Sequence, residues 1–537
     1  MKANLIFPAC LLGVVGHSLA WAQAPGTFTA TASMVTARSS HTATLLLDGG
    51  VLIAGGSGGN TSDPDAATST TEIYDPVKQA FTPTGSMTAA RSRHTATLLP
   101  DGRVLIVGGN SGIVPSVPGD PPLITTAELY DPSTGSFTST GRLLTGRVGF
   151  NATLLANGKV LITGGVSAST ESCDVIGDGE LYDPETGVFT AAGAYAGTLA
   201  NLKTGICGFD STSTLLPDST VLFATEPAAQ VYDPVTATFS LKGAMLVTFL
   251  ENPFAPDYIS GQTANLLLNG KVLMAGGEQE DTGRYNTALL YDATSGLLVP
   301  TGNMLRPRGD GHTATLLPDG RVLITGGDSQ MCDANNYCYY SGTESSAELY
   351  DPVNGVFSGA GNMMASRQGH TATLLNTGDV LITGGAAQDG ITPGVPFGGP
   401  GGQTGGTNYG STAEAELYHP ASPASPPALF SLSGDGHGQG AIWNPITGQL
   451  ASLQTQAAAG DVLSMYVQGL AEGGAIPPQV SIGGRLAQIL YFGDAPAYPG
   501  YYQVNFRVPS GVTPGPAVPV HLTYLGRPSN EVTIAVQ

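Results

Sequence analysis

One pattern recurs along this chain and limits its possible folds more than any other feature. Its clearest copies are His94-Thr95-Ala96-Thr97-Leu98-Leu99 followed by Asp101-Gly102-Arg103-Val104-Leu105-Ile106 and Gly108-Gly109, and His312-Thr313-Ala314-Thr315-Leu316-Leu317 followed by Asp319-Gly320-Arg321-Val322 and Gly326-Gly327. Each runs on to an acidic-Leu-Tyr-Asp-Pro segment. Glycine pairs mark further copies at Gly55-Gly56, Gly164-Gly165, Gly276-Gly277 and Gly384-Gly385. The double-length gap after Gly164-Gly165 holds a degenerate copy, where Leu215-Leu216, Val221-Leu222-Phe223 and Val231-Tyr232-Asp233-Pro234 keep the pattern and Ala224-Thr225 replace the glycines. Seven units result, about 50 to 60 residues apart, a period that signals a repeat architecture.

Four strand-like segments make up a unit: the His-Thr-Ala-Thr-Leu-Leu stretch, the Val-Leu-Ile run, the Glu-Leu-Tyr-Asp-Pro stretch and a Phe-Thr stretch such as Phe137-Thr138. Asp-Gly between the first two predicts a tight hairpin of type I′, which needs positive φ at both central residues. Pro after Tyr-Asp ends the third strand, because it cannot donate to a ladder. Composition agrees: 75 Gly, 38 Pro and only 11% charged residues suit short strands and turns rather than salt-bridged helices.

The seven copies resemble kelch repeats, of the bacterial kind that also forms the propeller of galactose-oxidase-like proteins, over about residues 26 to 420. That resemblance implies a seven-bladed β-propeller of four-stranded blades around an axis. The seventh unit stops after Glu416-Leu417-Tyr418-His419-Pro420 without a Phe-Thr strand, whereas the chain carries an orphan one, Gly26-Thr27-Phe28-Thr29-Ala30. The segment 26–32 is expected to complete the last blade and remove an exposed edge.

The expected organisation is a signal peptide over 1–24, the propeller over 25–421, a Pro/Ala/Ser linker over 422–428 and a small β-sandwich over 429–537. Lys2, the apolar run Leu5 to Val15 and small residues up to Ala22 or Ala24 have the form of an export signal, which implies a secreted or periplasmic location. In the last part, Gly438-Gln439-Gly440-Ala441-Ile442, Ile482-Gly483-Gly484, Tyr502-Gln503-Val504-Asn505 and Val508-Pro509 resemble an uncharacterised C-terminal domain of secreted soil-bacterial proteins, related to immunoglobulin-like TIG modules. The fold class is therefore all-β, a propeller followed by an immunoglobulin-like sandwich.

A net charge of −21 without a basic cluster argues against nucleic-acid partners and anionic membrane surfaces. No later stretch reaches the ~18 apolar residues of a spanning helix. Beyond Cys10, in the apolar run of the leader, the cysteines are Cys173, Cys207, Cys332 and Cys338, compatible with two disulfides in an exported chain. Cys332 and Cys338 share one loop. Zinc is the rival reading, but no CxxC or paired His accompanies them.

The resemblance raises one sharp catalytic hypothesis, a radical copper oxidase. Such enzymes use a Tyr directly before a strand-start His, a Tyr cross-linked to a Cys, and a His from the C-terminal domain. Here His41, His94, His312 and His370 follow Ser40, Arg93, Gly311 and Gly369, so the Tyr-His pair is missing. Cys207 lies just before a first strand without a partner Tyr, and His437 and His521 are isolated. The repeated His, and Arg38, Arg91, Arg147 and Arg367 three residues before that position, suggest a metal ring, but a residue repeated in most blades at one structural position serves blade packing. Sialidase chemistry fails for want of Trp, present only at Trp21 and Trp443, and Glu251 with Asp257, or Glu278, Glu280 and Asp281, read as loop charge. No metal or cofactor is expected.

In a four-stranded meander the connections after strands two and four emerge on one face, and here those after strand two are long: 57–70, 110–126, 166–179, 278–287, 328–346 and 386–415. Long loops on a rigid scaffold carry binding. This loop face carries Tyr258, Glu278, Asp281, Arg284, Tyr285, Asp328, Tyr337, Tyr339, Tyr340 and Tyr409, a mixture of rings, carboxylates and guanidinium that suits sugars and also a protein partner. The functional expectation is a non-catalytic recognition protein that binds extracellular carbohydrate or protein. The alternative is a sugar-active propeller enzyme, either an oxidase with atypical ligands or a carboxylate-based epimerase or lyase.

Overall fold

The computed structural model describes residues 25–58, 66–111, 123–168, 173–196, 212–225, 228–244, 261–279, 283–332, 338–388, 409–421, 425–471, 474–496 and 498–537. The leader and Cys207 lie outside them. The second repeat shows the plan: Thr95–Leu98, Val104–Val107, Thr126–Asp131 and Ser136–Arg142 pair antiparallel in chain order. Among the described residues seven such sheets form, one with an added short strand. Their first strands touch in succession, from Thr42–Leu45 round to Thr371–Leu374, which meets Thr42–Leu45 again. The chain is a seven-bladed β-propeller.

The Val-Leu-Ile run is the strand buried on both faces. Val51 and Ile53 pack with Leu375, Leu381 and Leu417 of the last blade, while Leu52 and Ala54 pack with Val104 and Ile106 of the second. A strand sandwiched in this way reads as an unbroken apolar run instead of an alternation. The same division recurs at each junction, so the propeller core consists of separate clusters between neighbouring blades.

The last blade is completed from the far end of the chain. Thr27–Ala30 pairs antiparallel with Ala415–His419, and Phe28 sits opposite Tyr418 with ring centroids 5.0 Å apart. In other blades that ring comes from the blade's own fourth strand, as with Phe81 on Tyr74 at 4.8 Å and Phe137 on Tyr130 at 4.9 Å. The orphan segment thus supplies both the strand and the aromatic partner the seventh repeat lacks.

The Asp-Gly hairpins form, but with another turn than type I′. Only the glycine has positive φ, as at Gly49, Gly102 and Gly320. Leu46 N donates to Gly50 O at 2.8 Å and Gly49 N to Leu46 O at 3.1 Å. This is a three-residue loop, a type I turn followed by a left-handed glycine, in which Asp needs no positive φ. The degenerate fourth blade keeps the geometry with Ser219 at φ 70°.

The glycine pairs mark the closest approach between blades. Gly326 has φ +61°, and a Cβ there would strike the Arg367 carbonyl and lie 2.6 Å from His370 Cε1 of the next blade. Gly326→Ala is expected to lower stability by about 2–4 kcal/mol, from left-handed strain plus overpacking. Gly359→Ala, with nothing within 4 Å of its Cβ, is expected to stay within about 0.5 kcal/mol. Urea denaturation of both variants checks the contrast.

Beyond the propeller, two sheets enclose a single core that includes Leu463, Met465, Val480, Val504, Phe506, Val520, Leu522 and Ile534. This sandwich meets the propeller at its hairpin turns: Leu486 N donates to Pro100 O at 2.6 Å, Ala475 N to Leu268 O at 2.8 Å, and Gln488 Nε2 to Ala156 O at 3.2 Å. The face with the short turns is therefore the docked one. Among the described residues no helix is long and apolar enough to cross a membrane.

Candidate functional site

The opposite face begins with how each long connection is rooted. Arg91 is fully buried; its Nη1 donates to Gly108 O at 2.9 Å and Thr126 O at 3.0 Å, and its Nη2 reaches Glu128 Oε1 at 2.7 Å. The guanidinium so ties the end of the second strand to the start of the third, clamping the base of the connection between them. The carboxylate is satisfied in turn by backbone: Glu128 accepts from Thr88 N at 2.7 Å, and Glu72 from Val35 N at 2.7 Å and Thr36 N at 3.0 Å. Equivalent pairs are Arg38–Glu72, Arg147–Glu180, Arg308–Glu348 and Arg367–Glu416. The repeated arginines are structural clamps. Arg308, four residues before His312 instead of three, belongs to the set although the sequence spacing hides it.

The repeated histidines are pegs between blades. His94 Nε2 meets Thr42 Oγ1 at 3.0 Å, His370 Nε2 meets Thr325 Oγ1 at 2.9 Å, and His41 Nε2 meets Thr383 Oγ1 at 2.9 Å across the closure. All four rings are 5–6% exposed. Burial, joined by the neighbouring arginines, pushes His94 down to about 3 and His41 and His370 well below the usual value, while His312, beside Arg308, is lowered to about 4. All four are neutral at pH 7.

The residues directly before them are linked in a chain near the axis. Arg93 N donates to Ser40 O at 3.0 Å, Ser40 N to Gly369 O at 2.8 Å, and Gly369 N to Gly311 O at 2.9 Å. All four have positive φ, between 50° and 74°. A Cβ on Gly311 would lie 2.5 Å from Gly369 N, so a bulky side chain has no room at that position.

Three neighbouring blades raise their connections into hairpins on this face, and apart from them the third blade does so too, Val166, Ser167 and Ala168 pairing with Val175, Asp174 and Cys173. Glu278–Gln279 pairs with Gly283–Arg284, Asp328–Cys332 with Cys338–Thr343, and Ala386–Gln388 with Tyr409–Ser411. The middle hairpin lies against both others. Of the candidate residues, Glu278 stands opposite Arg284, and Tyr285 is half-buried at the foot of the first hairpin, its N donating to Gly277 O at 2.8 Å. Asp328 is 5% exposed and roots the second, its N donating to Asp310 O at 3.1 Å. Tyr339 and Tyr340 pair with Met331 and Gln330 on the return strand, and Tyr409 opens the third hairpin opposite Gln388. Cys332 and Cys338 are opposed in register, and Cys173 pairs with Ala168 in the third blade. Tyr258, Asp281 and Tyr337 lie outside the described residues.

No family model matches the chain, and no curated protein matches it. Solved structures do. A fungal alcohol oxidase of the AA5 family, in complex with copper, is similar at 15% identity and a TM-score of 0.56, covering 96% of this chain and 100% of its own. The structure of YjhT is similar at 19% identity and a TM-score of 0.42, covering 67% of this chain and 94% of its own. At such identity the oxidase speaks for the architecture of blades and terminal β-domain. Among the described residues no three His, Cys, Asp or Glu side chains converge to hold a metal ion.

Proposed function

We propose that this chain is an exported, non-catalytic recognition protein that binds extracellular carbohydrate or protein through the face bearing the three hairpins. One observation carries the reading: the C-terminal sandwich docks on the short-turn face, while the adjacent hairpins of the fifth, sixth and seventh blades rise on the opposite face. A rigid ring that carries long connections on one side is a scaffold for binding. The immunoglobulin-like module then acts as a base for it.

The likeness to an alcohol oxidase invites the copper reading, and the residues do not fit it. Ser40, Arg93, Gly311 and Gly369 occupy the position a ligating Tyr needs, in left-handed backbone, and the His that follow are pegged to threonines or backbone carbonyls of the preceding blade. Copper-supplemented protein is expected to release no peroxide above blank from alcohols or sugars. A glycan array with pull-down from culture medium is expected to return a ligand whose binding weakens when Tyr285, Tyr339 and Tyr340 become Ala. Failure to find one, or peroxide release with turnover, removes the proposal.

A further inference from the structure

Outside the propeller, a cleft of about 310 Å³ is lined by Phe430, Ala441, Trp443, Tyr466, Tyr498 and Tyr501. Its rings form a run of three and a pair: Trp443 to Tyr466 at 4.9 Å and Tyr466 to Tyr498 at 5.2 Å, then Phe430 to Tyr501 at 5.5 Å, tilted by 59°, 48° and 45°. The sandwich assembles them from distant segments. Trp443 pairs with Ser464 and Tyr466 with Gln503 across neighbouring strands, while Tyr498 and Tyr501 belong to the turn between Gln488–Asp494 and Tyr502–Arg507. None of these rings is part of the sandwich core, which is filled by aliphatic side chains with Met465, Phe506 and Tyr524, and Tyr498 is 54% exposed. Rings gathered at a surface without a role in the core are an unspent binding resource.

Gln488 touches the propeller at Ala156, and its strand runs away from that contact to Asp494, with the Tyr498–Tyr501 turn beyond it. The chemistry of the walls selects the occupant. No charged side chain lines the cleft, and the chain as a whole is at −21, so an acidic polymer is repelled and finds no cation there. Beside Tyr466, the half-buried Gln503 and Asn505 form a row of amides along the sheet, Gln503 Nε2 donating to Asn505 Oδ1 at 2.8 Å above the fully buried Ser464, whose Oγ donates to the same oxygen at 2.5 Å. A pyranose presents apolar C–H faces to rings and hydroxyls at its rim to amides and phenols. A proline-rich peptide also seeks aromatic grooves, but it has few donors to engage such a row.

We propose that this cleft is a second binding site, for an uncharged hexopyranose polysaccharide, separate from the hairpin face of the propeller. The test is retention of the full chain on insoluble cellulose, β-glucan and mannan, with polygalacturonate and poly-L-proline as comparators. At least one neutral polymer is expected to retain it. Trp443→Ala and Tyr498→Ala are each expected to weaken retention roughly tenfold or more, equivalent to about 1.4 kcal/mol. Tyr498, exposed in a turn, is the variant that leaves folding intact. Trp21 is the chain's only other tryptophan, so a matching soluble oligosaccharide should also change Trp443 emission. Loss of the proposal follows if no neutral polymer is retained, if both variants bind as before, or if poly-L-proline binds in a Trp443-dependent way. Retention that depends on Tyr285 and not on Trp443 assigns the sugar to the propeller and likewise overturns the cleft.

Discussion

Acidification from pH 6.5 towards about pH 5 is expected to destabilise the propeller steeply, and four buried histidines are the reason. His41, His94, His312 and His370 are neutral in the folded chain and held below the ordinary 6.5, His94 at about 3 and His312 at about 4. In the unfolded chain they protonate near 6.5, so below that pH the unfolded state binds more protons and stability falls with pH. The stabilisation is complete above 6.5 and drains away as pH descends towards the folded values. Each group contributes at most about 1.4 kcal/mol per pH unit, so four give up to about 5 kcal/mol per unit. Asp75, Asp131, Asp183, Asp292 and Asp351 are held below 3.8 by hydrogen bonds and nearby cations, so their losses begin only below that value. Glu416, raised above 4.5 by burial, acts in the opposite sense, so a fall in urea midpoints between pH 7 and about 5 reports the histidines. The fifth blade, with Gln262 at the matching position, suggests the control: replacing all four with Gln should flatten this limb. An unchanged slope would falsify the assignment.

The fold was legible because its signals are local and repeated. The apolar runs, the Asp-Gly pairs and Tyr-Asp-Pro each act within a few residues, and the orphan Phe28 strand stood out because Tyr418 lacked a following Phe. The turn type was misjudged because Asp-Gly serves two hairpin geometries, and only the backbone distinguishes them. The clamps were hidden for another reason. Arg38 and Glu72 are 34 residues apart, so their pairing exists only once the connection between them is folded back. The aromatic cleft was less visible still: Phe430, Trp443, Tyr466, Tyr498 and Tyr501 share no motif, and two strand pairings and a turn bring them together. Glu278, Arg284, Asp328, Tyr339, Tyr340 and Tyr409 are set on three adjacent blades by sheet extensions, pairings that composition does not display.

The clamps yield the second large effect. Arg91→Ala is expected to cost about 3–5 kcal/mol, because Glu128 is left buried without its cation. The reverse change, Glu128→Leu, strands the guanidinium and should cost a similar amount. Together, as Arg91→Met with Glu128→Leu, the loss should shrink to about 1–2 kcal/mol, since no buried charge remains and what is missing is the bonding to neutral groups, Gly108 O, Thr126 O and Oγ1, and Thr88 N. The chain already contains both neutral solutions. In the fourth blade Gln230 replaces the carboxylate and exchanges hydrogen bonds with Ala196, accepting at 2.9 Å and donating at 3.2 Å, and in the fifth blade Leu289 stands there, buried in an apolar cluster. The measurement is a double-mutant cycle by urea denaturation, with hydrogen exchange across 108–126 as the local readout. Exchange there should rise most in Arg91→Ala, where the two ends of the connection lose their shared clamp and the carboxylate seeks water. If the double variant loses as much as the sum of the singles, the pair is not coupled. The long connections of this propeller would then be held by their strands alone, and the guanidinium at the foot of each would be packing rather than anchorage.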